Sequence, residues 1–221
     1  MTSTSTRYDT TPTRAYVVLV IGICAVALAA IIIRLAQDEG VPSLIIAAGR
    51  LVIAALLLTP VTLRQPTYMT QIRRLTGFEA ILIGIAGLFL AMHFAAWVTS
   101  LEYTTVLISV VLVTTSPIWV GLMEVFILRT RLQRGVIVGL AIVLSGSLII
   151  GLGGGGETAE GGMNQQVLGG GLSAFGAVAV AVYLIIGKRL RPKLALIPYI
   201  WLVYGTAAIL LSIVVLLTET P

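Results

Sequence analysis

The sequence predicts an all-α fold: a polytopic transmembrane helix bundle with seven spans, built as a five-helix repeat followed by the start of an inverted second repeat. Three observations predict it. Hydrophobic residues make up 58% of the 221-residue chain and charged residues only 10%, where a soluble domain would carry roughly 25% charge; mean hydropathy is +1.06. Seven apolar runs approach the roughly 20 residues that a helix needs to cross the hydrocarbon core. Twelve of the fourteen basic residues fall in every second gap between those runs.

The elements follow in order. Residues 1–14 are polar and Ser/Thr-rich and read as a disordered cytoplasmic tail. The first run covers about 15–35. Arg14 before it and Ala27-Leu28-Ala29 within it resemble a signal peptide, but the apolar stretch continues to Ile33, longer than such a segment needs, and reads as a retained helix. Runs at about 43–63, 78–99, 105–127 and 135–152 complete a first repeat over residues 15–152. A Gly-rich, acidic outer linker is expected over residues 153–166. Runs at about 167–187 and 195–217 form a partial second repeat within residues 167–221. Helices are the default because backbone polar groups in lipid must be paired internally. The period-2 alternation of a membrane barrel is absent.

Charge sets the expected orientation. Arg7 and Arg14 precede run one; Arg64, Arg73 and Arg74 follow run two; Arg129, Arg131 and Arg134 follow run four; Lys188, Arg189, Arg191 and Lys193 follow run six. The other gaps carry Asp38, Glu39, Glu102, Glu157 and Glu160, with Glu219 at the far end. Lys and Arg resist translocation, so the amino terminus is expected in the cytoplasm, the carboxy terminus of the chain outside, and the protein in an inner or plasma membrane. A pI near 9.7 does not point to nucleic acid, because the basic residues sit in short loops.

Several chemistries are unexpected. Cys24 is the only cysteine, which excludes an internal disulfide framework or a cysteine metal site. There is no HExxH, Cys/His cluster or GxSxG, so neither an enzyme nor a metal or other cofactor is expected. GLGGGGETAEGG lacks the GK[ST] that would complete a phosphate loop.

The linker divides the chain unevenly. Ile31-Ile32-Ile33-Arg34, Pro42 and Ala54–Leu58 parallel Ile185-Ile186-Gly187-Lys188, Pro198 and Ala207–Leu211, an offset of about 154 residues. A five-helix repeat has an odd number of spans, so a second copy inserts inverted, a recurring transporter plan with the site at the repeat interface. A full second copy needs three further helices, and an incomplete chain is expected on that count.

Four segments carry a family resemblance: AAGRLVIAALLL (Ala47–Leu58), SLEYTTVLISVVLVTTSPIWVGLMEVFIL (Ser100–Leu128), GVIVGLAIVLSGSLIIG (Gly135–Gly151) and GLSAFGAVAVAVYLIIGKRL (Gly171–Leu190). In order and spacing the chain resembles the EamA-like branch of the drug/metabolite transporter superfamily. The resemblance implies ten helices in two repeats, and outward movement of amino acids or related metabolites. It departs in having seven runs, and in Thr130 standing where many members carry Glu in the loop after helix four.

Candidate cavity residues follow from polar and aromatic groups inside the runs, which are costly in lipid and tend to face the bundle interior. Phe89, His93 and Trp97 recur at helical spacing on one face, which Ser100 extends. They could line a cavity, or be a hydrogen-bonded His beside an interfacial Trp. Ser109, Ser116 and Trp119 form a second stripe around Pro117, which could be a hinge or simply soften the helix. Arg50 lies two turns into the second run. It could face the cavity and attract a carboxylate or phosphate, or snorkel to the headgroups. Glu124 could gate, or pair with Arg129 or Arg131. Tyr183, Trp201 and Tyr204 could complete an aromatic lining or pack. Gly135 and Gly139 form GxxxG, expected to pack internally.

The expected function is transport of a small organic solute by alternating access without ATP. Its partners are the lipid bilayer and that solute; proton or ion coupling and a homodimer are left open. A non-transporting scaffold or a fragment needing a partner is the rival. A seven-helix receptor fits the span count but not the charge pattern.

Overall fold

The structure, a computed structural model, describes residues 12–126, 129, 134–153 and 162–218. Its regular elements are all helices: α1 Pro12–Asp38, α2 Ser43–Leu63, α3 Pro66–Arg73, α4 Gly77–Tyr103, α5 Val106–Val113, α6 Ser116–Phe126, α7 Arg134–Gly153, α8 Gly162–Leu190 and α9 Leu196–Thr218. Expectations placed on Arg7, Thr130, Arg131, Glu157, Glu160 and Glu219 lie outside the described residues.

The chain is a polytopic helical bundle. Among the described residues, six helical stretches are long and apolar enough to cross a membrane: Tyr16–Asp38, Ser43–Leu63, Gly77–Tyr103, Val106–Phe126, Gly162–Leu190 and Leu196–Thr218. The expected fifth span coincides with α7, a helix of 20 residues that is not among those six. The described count is therefore six where the sequence predicts seven.

Element boundaries differ from expectation in readable ways. α1 begins at Pro12 and α8 at Gly162, inside the segments expected to be tail and linker. α3 is an extra short helix in the basic gap after α2. Pro66 stands in its first turn, where a missing N–H costs nothing. α4 opens on a capping box: the Thr76 hydroxyl accepts from Glu79 N at 3.3 Å, and the Glu79 carboxylate accepts from Thr76 N at 2.9 Å. Two of the orphan amides of a helix start are satisfied this way.

The expected fourth span is divided by a turn at Thr114 and Thr115. Both hydroxyls bond back into α5, Thr114 to Val111 O at 2.9 Å and Thr115 to Leu112 O at 2.6 Å. Such side chains offer the backbone an alternative to the helical ladder. Pro117 cannot donate to that ladder. It falls second in α6, where it starts a helix instead of kinking one.

α4 is the centre of the bundle. It packs most extensively on α8 and also meets α9 and α2; α2 lies along α9, and α5 and α6 lie on α8. The core runs along these seams through Leu51, Ile83, Leu90, Val98, Leu101 and Val203. α8 presents Gly169, Ser173, Gly176 and Ala177, all buried, and small residues of this kind let helix backbones approach in lipid. By contrast Gly135 and Gly139 face open space, so the described residues do not make the internal packing expected of that GxxxG. α1 is exposed along most of its apolar length, from Tyr16 to Leu35. Lipid is the solvent that tolerates such a surface.

Candidate functional site

Arg50 sits on the second turn of α2, half-buried, on the side that meets α4. Its guanidinium carbon lies 5.1 Å from the centroid of the Phe94 ring and 5.4 Å from that of Trp97. The side chain is thus committed to an aromatic pair on α4. A desolvated contact of this type stabilises by about 2 kcal/mol. Among the described residues no carboxylate is ion-paired to Arg50, whereas Arg34, Lys188 and Lys193 each have one. Its Nη1 is buried without a hydrogen-bond partner.

His93 lies one turn from Trp97 on α4. Its Nδ1 lies 2.8 Å from the Gly176 carbonyl of α8. A carbonyl can only accept, so Nδ1 carries a proton and donates it. The imidazole stacks on Trp97 (6.0 Å between centroids, 16° between planes) and meets Phe94 edge-on at 4.9 Å. α8 passes close to α4 here: a Cβ on Gly176 would stand 3.4 Å from His93 O and 3.6 Å from His93 Nδ1, in ordinary contact. Trp97 is 4% exposed, and its Nε1 is also buried without a partner. Tyr204 on α9 is near enough to Arg50 to interact with it electrostatically. Three of the expected residues, Arg50, His93 and Trp97, are therefore brought together, with Tyr204 beside them.

One turn further along α4 lies a buried hydroxyl cluster. Ser100 and Ser109 are 2.7 Å apart, and the Ser173 hydroxyl lies within hydrogen-bond distance of both, at 2.7 and 3.0 Å. Ser100 in turn donates to Trp97 O at 2.6 Å. The cluster ties α4, α5 and α8 together. Expected Ser109 thus joins the same region as Trp97, through hydroxyls.

The remaining candidates lie apart. Phe89 is half-buried but is not among the ring contacts of His93, whose second ring partner is Phe94. Ser116 and Trp119 are half-buried on α6, and the turn at Thr114–Thr115 breaks the stripe expected to link them to Ser109. Tyr183 stacks on Tyr199 at 5.9 Å, with the Tyr199 hydroxyl donating to Tyr183 O at 3.1 Å. Trp201 donates from Nε1 to Thr59 of α2 at 2.9 Å. Glu124 bonds Lys188 of α8 at 2.7 Å, an inter-helix pair; of the two loop arginines expected to pair with it, Arg131 lies outside the described residues.

The basic end of the bundle is cross-tied. Lys193 pairs with Glu79 at 2.6 Å, and Ala195 N donates to Gln71 Oε1 at 3.0 Å. With Lys188–Glu124, these bonds join the α8–α9 region to α3, α4 and α6. The acidic end is tied differently. There Gln37 donates to Ser43 Oγ at 2.6 Å and to Val98 O at 2.8 Å, and Arg34 donates to the Leu101 carbonyl. Those contacts stay within α1, α2 and α4.

Two clefts accompany the cluster. One of about 730 Å³ at the basic end is lined by Thr70, Gln71, Arg74, Glu79 and Lys193. Another, about 590 Å³ and largely apolar, runs along the α2–α9 seam past Val52, Thr59, Trp201, Leu202 and Thr206. Neither includes Arg50, which lies nearby on α2. Among the described residues no group of three or more His, Cys, Asp and Glu side chains could hold a metal ion.

Some participants were not legible as such. Phe94 follows His93 by one residue and so falls off the helical stripe. Ser173 and Gly176 carry meaning only through their partners on α4. Glu79 did have a signal, the T-x-x-E of the capping box.

No curated protein and no solved structure matches the chain. A family match does exist, to the EamA-like transporter family, over residues 13–152. That match covers more than half of the sequence and takes in α2 and α4, which carry Arg50, His93 and Trp97. The chain belongs to the EamA-like transporter family, within the drug/metabolite transporter superfamily, and is a membrane protein of the transporter type.

Proposed function

We propose that this protein moves a small organic solute, an amino acid or related metabolite, across an inner or plasma membrane. It does so outward and by alternating access, without ATP and without catalysis. The observation that carries this reading is the convergence of Arg50, His93 and Trp97 inside the bundle. There α2 and α4 of the first repeat meet α8 and α9 of the second. A repeat interface near mid-membrane is where transporters of this plan hold their solute.

Arg50 on α2 and Tyr204 on α9 are close enough to interact electrostatically. His93 reaches α8 through Gly176. Movement of α8 and α9 against α2 and α4 would therefore change the surroundings of all three side chains. With the amino terminus in the cytoplasm, as the distribution of Arg and Lys implies, the cross-tied basic end is the inner end. Glu79–Lys193, Glu124–Lys188 and Gln71–Ala195 then hold the inner side closed, while nearer the acidic end α8 is held to α4 by the neutral Ser173–Ser100 contact. Glu124 serves the gate, and Pro117 with the turn before it allows α6 to swing relative to α5.

The test uses purified protein in liposomes. His93→Ala/Trp97→Ala is expected to abolish protein-dependent solute flux while membrane insertion persists, read as retention in the bilayer after alkaline wash. Trp97→Phe serves beside it as a variant that keeps the packing ring. Unchanged flux in the double variant discards the site; absence of flux in the unaltered protein favours a scaffold.

A further inference from the structure

Five buried polar atoms among the described residues have no hydrogen-bond partner: Gln37 Oε1, Arg50 Nη1, Thr62 Oγ1, Trp97 Nε1 and Thr104 Oγ1. Two are hydroxyls, which can rotate to serve either as donor or acceptor, and one is an amide oxygen at the acidic end. Arg50 Nη1 and Trp97 Nε1 are different. Guanidinium and indole nitrogens only donate, and here both belong to a single cluster, with the guanidinium 5.4 Å from the Trp97 ring. A buried donor without an acceptor is costly, and the cost is greater for a charged group. Two in one place call for an acceptor, and none of the described residues brings one within hydrogen-bond distance.

The surroundings specify that acceptor. Arg50 carries a full positive charge, and no carboxylate among the described residues is paired with it. His93 has spent its Nδ1 proton on Gly176 O, which leaves Nε2 an acceptor, but neither that nitrogen nor the Tyr204 hydroxyl lies within hydrogen-bond distance of Arg50 Nη1 or Trp97 Nε1. Phe94 and the Trp97 ring contribute aromatic faces and no acceptor. The site therefore offers a planar, charged donor fork and one neutral donor, on aromatic walls. Carboxylate and phosphate oxygens match a guanidinium fork in geometry and charge.

We infer that Arg50 and Trp97 form a seat for an oxyanion, and that the transported solute carries a carboxylate or phosphate which binds there. The inference rests on the transport reading above and sharpens it: an anionic head is held by Arg50 Nη1 and Trp97 Nε1, and His93 positions the Trp97 ring by stacking. The same chemistry could come from an anionic lipid headgroup. Burial of both donors inside the α2–α4 contact favours a solute.

The experiment is equilibrium dialysis of the full chain in nanodiscs with four matched probes: 4-methylpentanoate, isoamyl phosphate, isoamylamine and 4-methylpentanamide. Saturable binding is expected for at least one of the two anions at millimolar concentration, and none for the amine or amide. Arg50→Gln and Trp97→Phe should each weaken anion binding about tenfold or more, the loss of one charge-assisted hydrogen bond. Arg50→Lys should restore part of it. Equal binding of amide and carboxylate, no binding of either anion, or anion binding unchanged in Arg50→Gln overturns the seat. Nanodiscs of phosphatidylcholine alone and with phosphatidylglycerol separate the two sources; competition by phosphatidylglycerol assigns the seat to lipid and overturns the solute assignment. Flux of a neutral or cationic solute with no anion binding sinks the seat and leaves the transporter standing. Anion binding without flux of any bound probe does the reverse.

Discussion

Gly169 and Gly176 lie two turns apart on the same face of α8, and both meet α4, yet their substitution by Ala should have opposite results. A Cβ on Gly169 would stand 2.8 Å from Thr104 Cβ and 2.9 Å from Thr104 N. Carbon contacts are comfortable at about 3.5–4.0 Å. Thr104 is 1% exposed, and its N–H donates to Ser100 O at 3.1 Å, so its backbone cannot yield without releasing the end of α4. Overpacking of this kind costs about 1–3 kcal/mol, offset in part by the roughly 1 kcal/mol by which Ala outranks Gly in a helix. Gly169→Ala should therefore lower stability, by up to about 2 kcal/mol. A Cβ on Gly176 would meet His93 O at 3.4 Å and Trp97 Cβ at 3.6 Å, close to ordinary contact. Gly176→Ala should be neutral or stabilising by up to about 1 kcal/mol. Reversible unfolding in mixed micelles with rising SDS, followed by far-UV ellipticity, reads both. Equal stability of the two variants, or the reverse order, refutes the α4–α8 packing on which the site depends.

Other outcomes follow from the same contacts. Ser173→Ala removes the hydroxyl that bridges Ser100 and Ser109 and should cost about 0.6–1.7 kcal/mol in the same unfolding assay. Adding Ser109→Ala should cost less than the sum, since both belong to one cluster. Trp201→Phe breaks the bond to Thr59 and should match Thr59→Val in stability, with the double variant no worse than either. At the basic end, Glu79→Gln removes the charge that pairs with Lys193. A cysteine placed at Thr70 should then label faster with a membrane-impermeant maleimide, and the exchange Glu79→Lys/Lys193→Glu should slow it again; identical rates in all variants would remove the latch.

The sequence carried the bundle well because lipid permits few backbone solutions. Apolar runs near 43–63 and 195–217 became α2 Ser43–Leu63 and α9 Leu196–Thr218 almost residue for residue. Local backbone chemistry was less legible. The turn at Thr114–Thr115 depends on hydroxyls that bond back to Val111 and Leu112, and apolarity alone reads straight through it. α3 was hidden because eight amphipathic residues beside a membrane resemble a loop. The site was legible in part: Arg50, His93 and Trp97 are conspicuous because polar and aromatic side chains are expensive in lipid. Their actual neighbours, Phe94 and Gly176, are ordinary membrane residues whose role comes only from tertiary contact. Glu124 shows the same limit, since it bonds Lys188, 64 residues away, across helices.

The claim on which the account turns is that solute crosses the bilayer beside Arg50. Counterflow measures it directly: liposomes containing the purified chain are preloaded with an unlabelled mixture of amino acids and small organic acids, then given each radiolabelled component in turn outside. The account predicts transient accumulation of at least one anionic or zwitterionic component above protein-free liposomes, lost in Arg50→Gln. No accumulation of any component, or accumulation that Arg50→Gln leaves intact, would contradict it.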